Sequence, residues 1–265
     1  MKIPYVSGAC QRMNIIGSHT LAERVRGRIN QGLGIKSGVL RLVRGGAPRL
    51  APGVLGDPSC FADGSWVRVH DEATIRSLLD GRSRTRGLEF CPQQWESCGR
   101  SYRVLGSVRR LIDDGAVLRK VSRTVLLEGL DCGGESGTGG CGRHCPMMYR
   151  DEWLAPAPAP VTEPRAGSRQ VARVRSLAEI EATLDIACRR GGLMFMPEMA
   201  RYAGMRLPVR RRLGKVFEHS RWLDTPAPVY ILEGLRCAGE VLGSDGPCDR
   251  GCWLLWHADW LELDS

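Results

Sequence analysis

The sequence predicts a mostly β fold with short helices (α+β), built as two tandem small barrel-like repeats joined by a Pro-rich linker. Three features predict it: a length of 265 residues, an internal match at a constant offset, and short alternating segments bounded by Gly and Pro. A chain of this length accommodates two domains of about 100 to 150 residues each. Apolar residues make up 43% of the composition, which is enough for a packed core in each domain.

The internal match is the strongest signal in the chain. Shifting the sequence by 105 residues aligns residues 66–132 with residues 171–237 without a gap. The offset becomes 107 after a Gly-rich loop, and the matched residues there are Cys141 with Cys248, Cys145 with Cys252, and Trp153 with Trp260. One offset held over that length indicates a duplication.

The duplication divides the chain into four segments. Residues 1–59 have no counterpart and form a basic N-terminal arm, residues 60–154 are repeat 1, residues 155–166 are the linker, and residues 167–265 are repeat 2. The linker contains the run APAPAPVTEP, which is typical of an extended spacer with little helix or strand potential.

The same elements are predicted in each repeat. A short alternating strand comes first, and a short amphipathic helix over Glu72–Asp80 follows it in repeat 1. Further strands are predicted at residues 102–111 and 124–130, and in repeat 2 at residues 207–217 and 229–235. A basic strand, a helical insert and strands flanked by Arg and Val resemble a small barrel of the SH3 or KOW type, which by itself implies no function.

The chemistry of the chain is concentrated in a cysteine loop that both repeats carry. The spacing is Cys132-x8-Cys141-x3-Cys145 in repeat 1 and Cys237-x10-Cys248-x3-Cys252 in repeat 2. Eleven cysteines without a secretory signal favour metal ligands over disulfides. Zinc prefers C-x2–4-C spacing, whereas iron–sulfur clusters accept looser spacing. The sequence therefore predicts a thiolate-ligated centre in each repeat: an iron–sulfur cluster of the 4Fe-4S type, two per chain, with zinc as the alternative.

The two repeats differ in their fourth ligand. Repeat 1 also has Cys91 and Cys98, and Cys98 completes a set of four with the loop cysteines. Repeat 2 has Met196 and Ala203 at those positions, so its fourth ligand is left to His257, to the other repeat or to an exogenous group. A three-ligand site with an open position is the arrangement that can bind and activate a substrate. The alternative is that repeat 2 is a degenerate copy.

Several phrases resemble a group of small bacterial cysteine-rich proteins, mostly single-repeat, from biosynthetic gene clusters. They are PEMARYAG at residues 197–204, CGRSYRV at residues 98–104, and the two LEGL segments that lead into the cysteine loop and a Trp-Leu pair. The group's pattern is PEMxxYCGxxFxV, then HLExLRCxGxxHGGCxxxC, then an aromatic stretch ending in WL. Cys98 matches its CG cysteine and Ala203 departs from it. The resemblance implies an accessory or enzymatic step in making a small molecule or polysaccharide.

A catalytic group is harder to identify. Glu128 and Glu233 occupy matched positions in the two LEGL segments. Glu233 belongs to the repeat with the three-ligand site and is the candidate catalytic base. The alternative is a solvated or hydrogen-bonding role. None of the five histidines recurs at a matched position, and His144 and His257 are the possible ligands. The sequence contains no recognised hydrolase, zinc-protease, Walker or dinucleotide motif in a convincing context.

Charge and hydropathy limit the classes of partner that the sequence is compatible with. The net charge is +9, which is compatible with nucleic acid, an anionic substrate or an acidic protein. No apolar run approaches the length of a membrane span, and the N-terminus lacks the apolar stretch of a signal peptide, so we expect a cytoplasmic protein. The first hypothesis is an iron–sulfur protein, either an enzyme or an accessory protein, that acts on a small-molecule or anionic substrate in biosynthesis. The second is a zinc-stabilised binding module for nucleic acid or an acidic protein partner.

Overall fold

The structure is a computed structural model. It describes residues 55–112, 118–134, 141–160, 170–186, 188–218, 221–239 and 248–264. The protein is mostly β with few short helices, and it contains a curled, half-barrel sheet. Two five-stranded antiparallel sheets account for most of the strands, one in residues 55–160, called the first half, and one in residues 170–264, called the second half. The N-terminal arm lies almost entirely outside the described residues.

The first half has its strands in the order β8-β7-β4-β1-β9. In chain order its elements are β1 (Trp66–Val69), α1 (Glu72–Leu78), β2 (Arg84–Thr85), β3 (Leu88–Glu89), a 3-10 helix (Pro92–Ser97), β4 (Ser101–Ser107), β5 (Arg110–Ile112), β6 (Leu118–Lys120), β7 (Thr124–Asp131), β8 (Pro146–Arg150), a 3-10 helix (Asp151–Trp153) and β9 (Leu154–Pro156).

The second half has its strands in the order β15-β14-β13-β10-β16, which is the same order. Its elements are β10 (Val171–Val174), α2 (Leu177–Glu181), β11 (Arg189–Arg190), β12 (Leu193–Met194), a 3-10 helix (Pro197–Tyr202), β13 (Arg206–Glu218), β14 (Arg221–Arg236), β15 (Trp253–His257), a 3-10 helix (Ala258–Trp260) and β16 (Leu261–Leu263).

Local sequence explains where the helices begin and end. The carboxylate of Asp71 accepts a hydrogen bond from the N–H of Thr74 and caps α1. Ser176 and Glu179 form a reciprocal capping box at the start of α2. Helix α1 ends at Leu78, two residues before the end that the sequence predicts, because Leu79 is already extended.

The pairing registers of the two sheets correspond residue by residue. Val67 faces Tyr102 between β1 and β4, and Ala172 faces Leu207 between β10 and β13. The ladder between β4 and β7 slips after Val104, and the ladder between β13 and β14 slips after Val209. These positions are pairs at the 105-residue offset, so the irregularities recur along with the strands.

Each sheet folds over an aromatic core. Trp153 is fully buried, its ring lies 5.0 Å from that of Phe90, and its indole N–H donates to Thr85 Oγ1 at 2.9 Å. Trp260 is fully buried in the second half, 5.2 Å from Phe195. The sequence predicts both tryptophans as core residues that cover the cysteine loops. Both are buried in the core, each as the last residue of a 3-10 helix.

The two halves contact each other through their cysteine loops. The N–H of Gly142, in the first loop, donates to the carbonyl of Lys215 in the second half at 2.9 Å. The N–H of Asp249, in the second loop, donates to the carbonyl of Arg110 in the first half at 2.9 Å. Both pairs are equivalent under the sequence offset. The contact is therefore reciprocal, as across a two-fold axis.

Candidate metal centre

A pair of cysteines faces across the neck of each loop. In the first half the N–H of Cys132 donates to the carbonyl of Cys145 at 2.9 Å. In the second half the N–H of Cys237 donates to the carbonyl of Cys252 at 2.7 Å. Both pairs extend the ladder beyond the last residues of β7 and β14, so the strands bring the two ends of each loop together.

The first pair is also joined through its side chains. The thiols of Cys132 and Cys145 share a hydrogen bond, which together with burial raises the pKa of Cys132 far above its ordinary value. When two thiols are in contact, the pKa for loss of the second proton is raised, because the second thiolate would form beside the negative charge of the first. A bound cation removes that repulsion, and metal binding at such a pair therefore displaces protons.

The second pair lies against a carboxylate. Glu198 Oε2 accepts the N–H of Ala238 at 2.9 Å, and the Glu198 side chain is only 2% exposed. Burial, and next the charge of Glu198, raise the pKa of Cys237, while the nearby Cys252 and a side-chain hydrogen bond with Glu198 contribute in the same direction. Glu198 Oε1 is buried without a hydrogen-bond partner. The guanidinium of Arg201, which is half exposed, lies 3.9 Å from Oε2.

The third cysteine of each loop crosses to the other half. Cys141 is buried in the core cluster of the second half, together with Leu213 and Val216. Cys248 packs in return against a small cluster of the first half, formed by Val108, Leu111 and Leu126. Sequence reasoning placed all three loop cysteines around one centre. The structure brings two of them together at each neck and directs the third into the neighbouring core.

The other cysteines of the first half lie on its 3-10 helix and elsewhere on the surface. Cys98 caps the C-terminus of the helix Pro92–Ser97, is partly buried, and packs against the same core cluster as Cys132. Cys91 caps the N-terminus of that helix, where its N–H donates to Gln94 Oε1 at 2.7 Å. Cys60 is exposed.

No metal-binding group is assembled among the described residues: no three His, Cys, Asp or Glu side chains converge in that part of the chain. The predicted ligands Cys98, Cys132, Cys141 and Cys145, and likewise Cys237, Cys248 and Cys252, remain a prediction. What the structure provides is one facing thiol pair in each half, and in the second half a buried carboxylate beside it. Pairs of this kind suit zinc, which accepts mixed sulfur and oxygen ligands.

Glu233 lies in an ion-pair network. Arg210 donates to Glu233 Oε1 at 3.0 Å and to Asp131 Oδ2 of the first half at 3.1 Å. The guanidinium also lies 4.7 Å from the ring of Trp253. The role of Glu233 as a base stays a prediction. Through Arg210, which also binds Asp131, Glu233 takes part in a contact between the two halves.

The two candidate histidine ligands both have other partners. His144 Nδ1 lies 3.1 Å from Asp131 Oδ1, and its Nε2 is hydrogen bonded to Arg211. His257 is buried, and its Nδ1 accepts the N–H of Asp259 at 3.1 Å, which caps the following 3-10 helix. Burial lowers the pKa of both imidazoles.

A cavity of about 240 Å³ lies beside the first loop. Its lining includes Gln93 and Ser97 from the 3-10 helix, Tyr102 from β4, and Asp131 and Gly133 from the end of β7. The matched positions in the second half hold Tyr202 in place of Ser97 and Ala238 in place of Gly133, which are larger. The cavity gives the first half a polar recess bordered by Asp131 and Gly133.

Sequence reasoning missed Glu198. It lies within the PEMARYAG phrase at the position of Gln93 in the first half. An acid in place of an amide, in a segment with several apolar neighbours, was the available signal. Its burial against Cys237 could not be read from that signal, because the two residues are 39 positions apart in the chain.

Comparison of the chain with protein-family models, with characterised proteins and with solved structures finds no match. In the part of the chain that the structure describes, no helix is both long enough and apolar enough to cross a membrane.

Proposed function

We propose that this protein is a tandem duplication in which each half binds one metal ion at the facing cysteine pair of its loop. The observation that carries the proposal is the recurrence of that pair, Cys132 with Cys145 and Cys237 with Cys252, at matched positions with the same main-chain hydrogen bond. The shared strand order and the matched registers support the duplication. The barrel-like SH3 or KOW interpretation of each half remains part of this proposal.

Zinc fits these residues better than the 4Fe-4S cluster that the loop spacing favours. A 4Fe-4S cluster is held by four thiolates. Cys141 and Cys248 lie in the opposite cores, which leaves two loop thiols at each neck. Zinc is satisfied by two thiolates completed by oxygen or nitrogen ligands, or by Cys98 in the first half. Bound zinc would cross-link the ends of the loop and hold the loop in its docked position.

Metal and sulfide analysis of the full chain tests the proposal. We expect protein purified without oxygen to contain zinc in both halves and no acid-labile sulfide. Cys132→Ser/Cys145→Ser should remove the metal of the first half and leave that of the second. Cys60→Ser, which removes an exposed thiol of the same half, should change nothing. Iron with matching sulfide would overturn the zinc assignment, and wild-type protein without metal would overturn the metal centres altogether.

A second candidate, polyanion binding, is favoured by where the charge lies in the sequence. Nine of the 38 Lys and Arg residues, but only one of the 29 Asp and Glu residues, fall within residues 1–54. That segment therefore carries nearly all of the net charge of +9. A role in nucleic-acid binding rests on the N-terminal arm, outside the described residues, whereas the sheets carry nearly balanced charge. Both functions are compatible in one chain.

The biosynthetic role implied by the resemblance stays a prediction. The cavity lined by Gln93, Tyr102 and Asp131 supports it as a polar recess for a small ligand.

A further inference from the structure

The polar recess of the first half lies where two strands of its sheet separate. The ladder between β4 and β7 ends, on the side of the cysteine loop, at the pair of Val104 with Leu127. Beyond that pair, Tyr102 of β4 and residues 129–131 of β7 line the cavity of about 240 Å³. The 3-10 helix Pro92–Ser97 contributes to the same lining. The recess is therefore built from elements of the sheet and from a helix packed beside it.

Two polar groups of the lining are held by contacts within the protein. Ser97 Oγ accepts the O–H of Tyr149 at 3.1 Å and donates to the carbonyl of Gln94 at 2.6 Å. Asp131 Oδ2 accepts a hydrogen bond from Arg210 at 3.1 Å, so its charge is already neutralised by an ion pair. These two side chains shape the recess, and they leave the recognition of a charged ligand to the remaining residues of the lining.

The remaining lining carries one charge of each sign beside an apolar surface. Glu96 and Arg100 both line the cavity and are both exposed. Burial raises the pKa of the Tyr102 phenol, and Arg100 opposes that rise through its charge and a hydrogen bond with the hydroxyl. Leu130 and the buried Met147 supply apolar surface to the same cavity. The recess therefore offers a carboxylate, a guanidinium beside a hydroxyl, and an apolar patch within one small volume.

The second half has different chemistry at the matched positions. At the 105-residue offset all three of these polar residues are replaced: Glu96 by Arg201, Arg100 by Met205 and Tyr102 by Leu207. Leu207 packs against the core of the second half, and the Arg201 guanidinium lies 4.9 Å from the ring of Tyr202. Both halves have the same strand order and matched registers. The fold therefore does not require the charged residues of the first half, which favours a role for them in binding.

We propose that this recess binds a free apolar α-amino acid, with its carboxylate on Arg100 and Tyr102, its ammonium group on Glu96 and its side chain on Leu130 and Met147. A guanidinium binds a carboxylate through parallel N–H donors, and an ammonium group donates to a carboxylate. Pockets for drug-sized ligands have volumes of about 300–1,000 Å³, so this smaller recess suits a ligand of amino-acid size. The inference does not depend on the thiol pairs, since none of these five residues belongs to them.

Saturation-transfer NMR on the full chain is the direct test, with the common L-amino acids as probes. We expect transfer to at least one amino acid with an apolar side chain. Its N-acetyl derivative lacks the positive charge and its amide lacks the negative charge, so both should bind more weakly. Glucose, a neutral polar probe, should give no transfer. Absence of transfer to every amino acid at millimolar concentration, transfer to glucose alone, or equal binding of the free amino acid and both derivatives would overturn the proposal.

Two variants assign the two charges of the ligand. Glu96→Gln should weaken binding of the free amino acid about 5- to 10-fold, between the effect of an exposed ion pair and that of a charged hydrogen bond. It should leave the N-acetyl derivative unaffected, because the substitution and the acetyl group remove the same contact. Arg100→Gln should likewise weaken the free amino acid and leave the amide unaffected. A variant that failed to fold would instead lose all three ligands.

Glu89→Gln is the matched control, because it removes an exposed carboxylate of the same half in the β2–β3 hairpin. Calorimetric titration should give it the wild-type affinity. Equal losses for the free amino acid and the N-acetyl derivative in a folded Glu96→Gln would overturn the assignment of the ammonium group to Glu96. Metal analysis of the same samples separates the two proposals, since wild-type protein without metal but with amino-acid binding would overturn the metal centres and leave this site standing.

Discussion

The carboxylate Oδ2 of Asp249 accepts the main-chain N–H of Arg110 at 3.0 Å and, at 2.9 Å, that of the neighbouring Arg109. Asp249 follows Cys248 in the second loop, so this contact fastens the second loop to the first half. The contact between Gly142 and Lys215 fastens the first loop to the second half. The loops that carry the candidate metal ligands are thus also the main-chain links between the two sheets.

Replacing Asp249 with Ala should destabilise the protein. The substitution leaves two partly buried N–H groups without their acceptor, and such a loss costs about 1–3 kcal/mol. The midpoint of urea unfolding, followed by tryptophan fluorescence, measures the effect. Glu128→Ala, at an exposed strand position, is the control. If Asp249→Ala and Glu128→Ala had the same urea midpoint, the contact of Asp249 with the main chain of Arg109 and Arg110 would contribute no stability.

Deleting residues 1–54 should abolish binding to polyanions. The deleted segment carries nine basic residues against one acidic residue, and the rest of the chain is nearly neutral. Retention on heparin and binding to single-stranded nucleic acid, each followed as salt is raised, measure the effect. A second variant, in which Gln replaces the Arg residues of the N-terminal arm, keeps the length of the arm. Loss of binding in that variant would show that the charge of the arm is responsible and not its length. Unchanged retention after deletion would place the polyanion site in the folded halves.

Acid should weaken the fold through His257. Burial lowers the pKa of its imidazole below the ordinary value of about 6.5. The unfolded chain therefore takes up a proton at a higher pH than the native protein does. The stability that His257 contributes is complete above the unfolded pKa and is lost as the pH falls below it.

The measurement compares His257→Asn with wild type. Asn keeps a side-chain acceptor for the N–H of Asp259 but does not titrate. Between about pH 7.5 and about pH 5.5, the range around the ordinary imidazole pKa, the urea midpoint of the wild type should fall further than that of the variant. Parallel slopes for wild type and His257→Asn would contradict the prediction.

Local patterns in the sequence predict the class of fold and the position of the elements. Alternation at Trp66–Val69, the capping residues Asp71 and Ser176, and the LEGL segments at the ends of β7 and β14 are all short-range signals. A strand predicted over residues 102–111 is broken between Ser107 and Arg110, where the first half turns into the β5–β6 hairpin. At the start of that hairpin the main chain of Arg110 meets Asp249 of the second half, a contact that the local sequence does not indicate.

The sequence alone determined the mostly β class of this protein, the internal offset and the matched positions of the loop cysteines, because strand period, capping and repeat are local properties of the sequence. Only the tertiary structure decided where the third cysteines go and that Glu198 lies beside Cys237. Cys141 is buried in a core cluster whose other buried members all belong to the second half. Cys248 packs against a cluster of the first half formed by Val108, Leu111 and Leu126. Such contacts depend on how two folded surfaces fit each other, and no local periodicity along the chain records that fit.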